Sequence, residues 1–159
     1  PETFARQRRF FAAQLELARQ HQKPALLHIR KAHAEALQML KAQRFAQGGI
    51  AHAFSGGVEE AKAFVKLGFK IGVTGQITNP NAKKLHAAVQ ALGAAHLVLE
   101  TDCPDMAPLC CQHGAERTRN TPANLPYVLQ GLAHSLQIDE RQLARQLWQN
   151  SLDALHLTA

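Results

Sequence analysis

Aromatic residues are scarce in this sequence: Phe, Tyr and Trp make up 6% of its 159 residues, with one Trp and one Tyr. So few rings leave little surface for stacking nucleobases, which weakens any nucleic-acid role inferred from composition alone. Long hydrophobic runs are also lacking, because no apolar stretch approaches the roughly 18 residues that a membrane-spanning helix needs. No charged-then-apolar signal opens the chain. These absences predict no membrane partner and a cytoplasmic location.

Cysteine is scarce too, and the three cysteines form no recognisable motif. Cys103, Cys110 and Cys111 are odd in number and show no Cys-x-x-Cys spacing. Neither a disulfide framework nor a thiolate zinc site is therefore indicated. No G-x-G-x-x-G or Walker-type glycine pattern follows a predicted strand, which leaves a nucleotide-binding sheet without support.

Acidic residues are fewer than basic ones, with 12 Asp and Glu against 18 Lys and Arg and a net charge of +6. The whole excess lies in residues 1–50, which hold nine basic and three acidic side chains. A basic surface attracts phosphates through a salt-screened attraction, although a charge of this size is also common in ordinary soluble proteins. Charge alone therefore suggests an anionic partner without identifying it.

Predicted strands and helices alternate along the chain. Short apolar runs predict strands at 25–29, 49–54, 70–74 and 97–102. Helical spacing predicts helices at 2–20, 33–43, 58–67, 80–92, 122–136 and 139–154, the fourth of them beginning at Pro80 with Asn79 as its N-cap. Alternation at intervals of twenty to thirty residues is typical of βα units around a parallel sheet.

Polar side chains stand at the carboxyl ends of three predicted strands: His28, His52, and the pair Glu100 and Asp102. In a parallel sheet these ends meet on one rim, where the active sites of barrel and open-sheet enzymes lie. One histidine at a strand end is more often structural, but three such positions on successive units favour a metal site. Imidazole nitrogens and a carboxylate oxygen can hold a divalent cation and leave a position for water, whose lowered pKa makes it a nucleophile.

Two further residues near this rim, Arg30 and Ser55, are candidates for binding a substrate phosphate. A guanidinium binds phosphate bidentately, and a Ser-Gly-Gly turn into a helix offers backbone N–H groups. Each has a structural alternative, an ion pair for Arg30 and the N-cap of the following helix for Ser55. Arg117 and Arg119 could likewise reach a phosphate or face water.

Five sequence blocks carry a family resemblance. They are His28-Ile29-Arg30, His52 to Gly56, Lys70 to Gly75, Glu100 to Asp105, and Arg119 to Asn124. In this order and at these separations they resemble the TatD family of metal-dependent hydrolases, and most of all its YjjV-type branch. The resemblance covers nearly all of the chain.

The resemblance implies a deoxyribonuclease that uses divalent cations, two per complete site, with Mg, Mn and Zn as candidates. It implies that Asp102 is a metal ligand that also orients or deprotonates the attacking water, and that Glu100 supports the centre. DNA is then the expected substrate. The expected site residues are His28, His52 and Asp102 for metal binding, Asp102 and Glu100 for catalysis, and Arg30 and Ser55 for substrate binding.

The family fold implies an α/β fold class for this chain, as the C-terminal half of an amidohydrolase-like (β/α)₈ TIM barrel, about strands 5–8 with their helices. The family's first-strand His-x-His motif and fourth-strand Gly-Glu block are absent here, and the sequence begins at Pro1 without a methionine. Residues 1–159 would then be a single partial domain, with the missing barrel half in the same polypeptide or on another chain. Two alternatives stay open: a metal-dependent amide or ester hydrolase on the same type of barrel, and a truncated, non-catalytic scaffold.

Overall fold

A computed structural model describes residues 2–113 and 118–158 of the chain. Its helices and strands are α1 (Glu2–Gln20), β1 (Ala25–His28), α2 (His33–Ala42), β2 (Gly49–His52), α3 (Val58–Lys66), β3 (Phe69–Val73), α4 (Lys83–Leu92), β4 (Leu97–Leu99), α5 (Leu125–Leu136) and α6 (Glu140–Leu155). Each of them overlaps a predicted element, so the predicted alternation is confirmed. None of the helices in the described part of the chain is long and apolar enough to cross a membrane.

The four strands form one parallel sheet in the order β1-β2-β3-β4. Each strand pairs with the next one along the chain, and the register places His28 opposite His52. Backbone pairing continues beyond β4, where the Glu100 N–H donates to the carbonyl of Val73 at 3.0 Å. The carboxyl ends of the strands consequently lie along one rim.

A hydrophobic core fills the side of the sheet that is covered by α2 to α5. Alternate residues of each strand point into it, because successive side chains of a strand face opposite ways. Its fully buried members include Leu40, Phe64, Phe69, Ile71, Val89, Leu97, Val128 and Leu132. Burying one such side chain stabilises the fold by about 1.5–3 kcal/mol, so this core holds the strands, and with them the rim, in place.

The end of α6 covers part of the other face of the sheet, at β2 and β4, whereas Leu26 of β1 on the same face is 63% exposed. Leu143, near the start of α6, belongs to the main core, whereas Ala154, near its end, is buried with Ile50 and Val98 in a second, smaller cluster. The strand neighbours of Ile50 and Val98 face the main core, so this cluster lies on the opposite face. Helix α6 therefore passes from one side of the sheet to the other.

Asn150 fixes the place where α6 crosses the sheet. Its side chain is 1% exposed. Its Nδ2 donates to the carbonyls of Ala94 and Leu97, both at 2.7 Å, just before and at the start of β4. Without these two acceptors the buried Asn150 amide would lose its Nδ2 partners, and leaving a buried polar group unpaired costs about 1–3 kcal/mol.

The expected fold class is wrong: the described residues form an open four-stranded parallel sheet, not the C-terminal half of a (β/α)₈ TIM barrel with strands 5–8. The physical reason is the position of α6. A barrel would turn Ile50 and Val98 toward its interior, whereas here the end of α6 packs on these two residues.

Helix α4 begins three residues later than predicted, at Lys83 rather than at Pro80. The Asn79 side chain does not cap the helix. Its Oδ1 accepts the N–H of Asn81 at 2.9 Å in a turn, and this turn follows a short 3₁₀ helix. Local side-chain hydrogen bonding of this kind competes with helix initiation, which explains the later start.

Candidate metal centre

The rim brings together four of the predicted site residues. His28 ends β1 and His52 ends β2, so the parallel register makes them direct neighbours. The centroids of their rings are 6.1 Å apart. Glu100 and Asp102 follow β4, and both carboxylates reach the ring of His52. The sheet thus places two imidazoles and two carboxylates at one point of the rim.

The His52 ring lies between the two carboxylates. Its Nδ1 is 2.9 Å from Glu100 Oε2, and its Nε2 is 3.0 Å from Asp102 Oδ1. Burial lowers the pKa of His52, but the hydrogen bond and negative charge of Glu100, together with Asp102, outweigh burial and raise this pKa above its ordinary value. Each ring nitrogen therefore has its own anionic partner.

Glu100 is itself held from two directions. Its Oε1 accepts the N–H of Ala53, while its Oε2 faces the His52 ring. Gly72 of β3 leaves room for this carboxylate, because a Cβ there would lie 2.3 Å from Glu100 Oε1 and would displace the Glu100 side chain. Glu100 is thus placed to fix the orientation of the imidazole and to leave Nε2 directed at Asp102.

Asp102 has a left-handed backbone conformation, with φ at +51°, which is uncommon for a residue other than glycine. Asn120, which is 4% exposed, supports this turn. Its Nδ2 donates to the carbonyls of Thr101 at 2.7 Å and Asp105 at 2.8 Å, on either side of Asp102. This supporting role is not visible in the sequence, because bonds from an amide to backbone carbonyls leave no side-chain motif. The one available signal was the position of Asn120 in the fifth block.

The donor atoms of His52 and Asp102 fit a divalent cation. An imidazole nitrogen and a carboxylate oxygen are ligands that divalent cations accept where no thiolate is present. The separation of Nε2 and Oδ1 is 3.0 Å. Among residues 2–113 and 118–158, however, no group of three or more His, Cys, Asp or Glu side chains is arranged to hold an ion. The described residues therefore offer a pair of ligands, with His28 as their nearest imidazole neighbour.

Arg30 and Ser55 flank this centre instead of joining it. Arg30 is exposed and lines, with His28, a cavity of about 320 Å³ against α1 and α2. Ser55 is exposed on the other side of the rim. It is not the N-cap of α3, because that helix begins after Gly57, whose N–H donates to the Glu60 carboxylate at 2.8 Å.

The remaining candidates lie apart from the centre. Arg119 is exposed, and Arg117 lies outside the described residues. The cysteines are free thiols. The Sγ atoms of Cys110 and Cys111 are 3.9 Å apart in a short 3₁₀ helix of the loop after β4.

Comparison with known proteins identifies the family. The family model described as TatD related DNase matches residues 1–156. The chain belongs to this TatD-related family. An uncharacterised metal-dependent hydrolase of Haemophilus influenzae is 38% identical, over 94% of this chain and 56% of its own. A TatD protein of Edwardsiella piscicida, named a 3′-5′ ssDNA/RNA exonuclease, is 36% identical, over 94% of this chain and 58% of its own.

A solved structure has the same fold. The crystal structure of YjjV, a TatD homologue from Escherichia coli K12, has a TM-score of 0.82 and 34% sequence identity, and the match covers 91% of this chain and 54% of that one. The predicted membership of the TatD family is therefore confirmed. The family match extends over all the helices and strands of the open sheet. This match also overturns the interpretation of the four strands as strands 5–8 of a barrel.

The chain spans somewhat more than half the length of the curated relatives that it matches. The comparisons give no support to the expected missing barrel half, in the same polypeptide or on another chain. The relatives' names support the use of a divalent metal, without its identity or the number of ions.

Proposed function

We propose that this protein is a divalent-metal-dependent nuclease that hydrolyses the phosphodiester bonds of DNA. The observation that carries the proposal is the His52 imidazole between the carboxylates of Glu100 and Asp102, beside His28, in a chain of the TatD family. The name of the Edwardsiella piscicida relative, an ssDNA/RNA exonuclease, supports a nucleic acid as substrate.

In this proposal His28, His52 and Asp102 would hold the cation, which would be Mg²⁺, Mn²⁺ or Zn²⁺, with two ions in a complete site. When bound, a divalent cation supplies Lewis acidity toward a phosphoryl oxygen and lowers the pKa of water. Asp102 has Oδ1 on the His52 ring, which leaves Oδ2 to orient the attacking water and to accept its proton. Glu100 acts on the same step by holding the His52 ring.

Substrate contacts in this proposal come from the residues that flank the centre. Arg30, two positions beyond His28, would bind a backbone phosphate through two parallel hydrogen bonds. Ser55, on the opposite flank, would donate its hydroxyl to a second phosphate or sugar oxygen. A cytoplasmic location stays a prediction.

The experiment that tests this proposal is cleavage of end-labelled single-stranded DNA by the purified protein with Mg²⁺, Mn²⁺ or Zn²⁺. We expect cleavage that stops in EDTA and that falls at least about 100-fold in His52→Ala, because this change removes a proposed ligand. His134→Ala, an exposed position in α5, is the matched control and should cleave like the wild type. Cleavage that persists in EDTA, or that His52→Ala leaves unchanged, would contradict the proposal.

A metal-dependent amide or ester hydrolase is the second candidate. The low aromatic content favours it, because few rings are available to stack on bases. Turnover of amide and carboxylic-ester probes, measured beside a phosphodiester probe with the same metal, separates the two reactions. The non-catalytic scaffold would be supported instead if the purified protein binds no metal and turns over no probe.

A further inference from the structure

A cavity of about 340 Å³ opens on the rim beside the metal centre. We call it the rim cavity, and its principal lining residues are Phe54, Ser55, Gln76, Lys83, Lys84 and Met106. These residues come from the loops after β2, β3 and β4 and from the first turn of α4. Ala53 also lines the cavity, and its N–H donates to Glu100. The cavity therefore begins one residue away from His52.

The lining of the rim cavity combines apolar surface with positive charge. The apolar lining comes from the half-buried Met106 and from the accessible edges of two core residues, Phe54 and Leu85, which are 5% and 7% exposed. Lys83 and Lys84 are exposed, and neither forms an ion pair with any residue that the structure describes. None of the described residues lining this cavity is acidic. A ligand that is flat and apolar at one end and anionic at the other matches this lining.

The walls of the rim cavity are tied to each other. Gly75, after β3, approaches the loop after β4 so closely that a Cβ there would lie 2.3 Å from the Met106 carbonyl oxygen. Thr78 Oγ1 donates to the carbonyl of Gly75 and accepts the N–H of Leu109, both at 2.7 Å. The two loops therefore hold each other in place, so that the cavity exists before any ligand binds. Binding to a preformed site avoids the cost of ordering its walls.

We propose that the rim cavity binds one nucleoside unit of a single-stranded DNA whose adjoining phosphate lies at the metal centre. A volume of about 340 Å³ is at the lower end of the range for small-molecule sites, which suits one base with its sugar. The base packs on the apolar surface around Phe54 and Met106, and the ammonium groups of Lys83 and Lys84 bind the next phosphate. This inference rests on the proposed function, and it assigns substrate contacts to the flank of the centre opposite Arg30.

A binding experiment tests the lysines without any need for catalysis. Fluorescence anisotropy measures the binding of labelled tetrathymidylate in EDTA to the wild type, to Lys83→Ala/Lys84→Ala, and to the control Lys62→Ala/Lys66→Ala. The control removes the same charge from exposed positions of α3.

We expect Lys83→Ala/Lys84→Ala to bind at least about ten-fold more weakly. We also expect a smaller salt dependence for this variant, with the slope of log K against log salt reduced by about 0.7, because each phosphate neutralised on a single strand contributes about 0.7 and the two lysines bind one phosphate. The control should bind like the wild type. Wild-type affinity in Lys83→Ala/Lys84→Ala, or an equal loss in the control, would overturn the inference.

An abasic series tests whether the cavity holds a base. Each thymidine of the tetranucleotide is replaced in turn by an abasic unit that keeps the phosphates. We expect one position to lose at least about ten-fold in affinity for the wild type, because only the base in the cavity has apolar contacts to lose. Equal affinity for all the abasic oligonucleotides would overturn the assignment of a base to the cavity.

Measuring DNA cleavage by the wild type, alongside binding, distinguishes a failure of the cavity inference from a failure of the nuclease proposal. If the wild type cleaves no DNA with any metal, but the two double variants still differ in binding, then the cavity inference stands and the nuclease proposal fails. If the wild type cleaves DNA, but Lys83→Ala/Lys84→Ala binds tetrathymidylate as the wild type does, then the nuclease proposal stands and the cavity inference fails.

Discussion

Glu100 gives each of its carboxylate oxygens a separate partner, the backbone of Ala53 and the ring of His52. A carboxylate in this position favours the tautomer with its proton on Nδ1. The lone pair of Nε2, on the side of Asp102, can then bind a cation. Metal binding by His52 Nε2 therefore depends on Glu100, which contacts the opposite edge of the ring.

Replacing Glu100 by glutamine should weaken metal binding by about 10–100-fold, which is the usual loss when the partner of a ligating histidine is changed. The amide keeps the size of the side chain but removes the negative charge that orients the ring. Calorimetric titration with Mn²⁺ or Zn²⁺ measures this loss. Glu59→Gln, on an exposed residue that pairs with Lys62, is the control. Equal affinities for Glu100→Gln and the wild type would show that Glu100 does not position His52.

The raised pKa of His52 predicts that the stability of the metal-free protein depends on pH. Burial lowers this pKa, and Glu100 and Asp102 raise it by more. A histidine with a raised pKa in the folded state stabilises the fold fully below its unfolded pKa of about 6.5, and this contribution is lost as the pH rises through the folded value. The melting temperature in EDTA should therefore fall as the pH rises from about 6.5 through the raised pKa.

Melting curves over a pH series measure this effect, and Glu100→Gln should make it smaller because the variant lacks the anionic partner of Nδ1. His134→Gln, a change at an exposed histidine, should leave it unchanged. A melting temperature that rises over the same pH range would contradict the assignment.

At the scale of elements, the turn after β4 depends on Asn120. Its Nδ2 binds two carbonyls on either side of Asp102, and its Oδ1 accepts from Asn124 Nδ2 at 2.9 Å. Asn120→Ala should reduce the free energy of unfolding by on the order of 3 kcal/mol, because it removes three part-buried hydrogen bonds of the Asn120 side chain. It should also weaken metal binding, since Asp102 loses its support.

Urea unfolding and calorimetric metal titration measure the two effects of Asn120→Ala. Gln130→Ala, at an exposed position of α5, is the matched control and should change neither quantity. A variant that unfolds earlier but binds metal with wild-type affinity would show that Asn120 stabilises the fold without positioning Asp102.

The strands and helices were predictable because each contains enough buried apolar residues to show the short apolar run of a buried strand or the three- to four-residue spacing of a helix. The rim followed from the same pattern, since alternation of strand and helix implies parallel strands whose carboxyl ends meet. The start of α4 was not predictable, because Asn79 is as good an acceptor for a turn as for a helix, and the choice depends on the preceding 3₁₀ helix.

At the scale of the whole molecule, the arrangement of the sheet was not predictable from the sequence. The apolar stripe of α6 shows that one side of the helix is buried, but Leu143 and Ala154 of that helix contact opposite faces of the sheet. The long-range bonds from Asn150 to the start of β4 help to set where the helix crosses. Contacts of this kind join residues more than fifty positions apart and leave no local pattern.

Metal binding should stabilise the whole fold, because the proposed ligands come from strands that meet only in the folded state. Mn²⁺ at 100 times its dissociation constant should raise the free energy of unfolding by about 2.7 kcal/mol. His52→Ala should abolish this gain, and His134→Ala should retain it. Thermal unfolding with and without Mn²⁺ measures the difference, and a gain that persists in His52→Ala would place the ion elsewhere.

The bonds of Asn120 also bear on how proteins with this fold can diverge. The Asn120 N–H donates to the carbonyl of Pro104 at 2.8 Å, so the two ends of the segment between residues 105 and 120 are fastened together at its base. Insertions and exchanges within such a segment change the loop without moving its anchors. Evolution could therefore exchange Met106 and the residues that follow it, and so alter the lining of the rim cavity, while Asp102 stays in place beside His52.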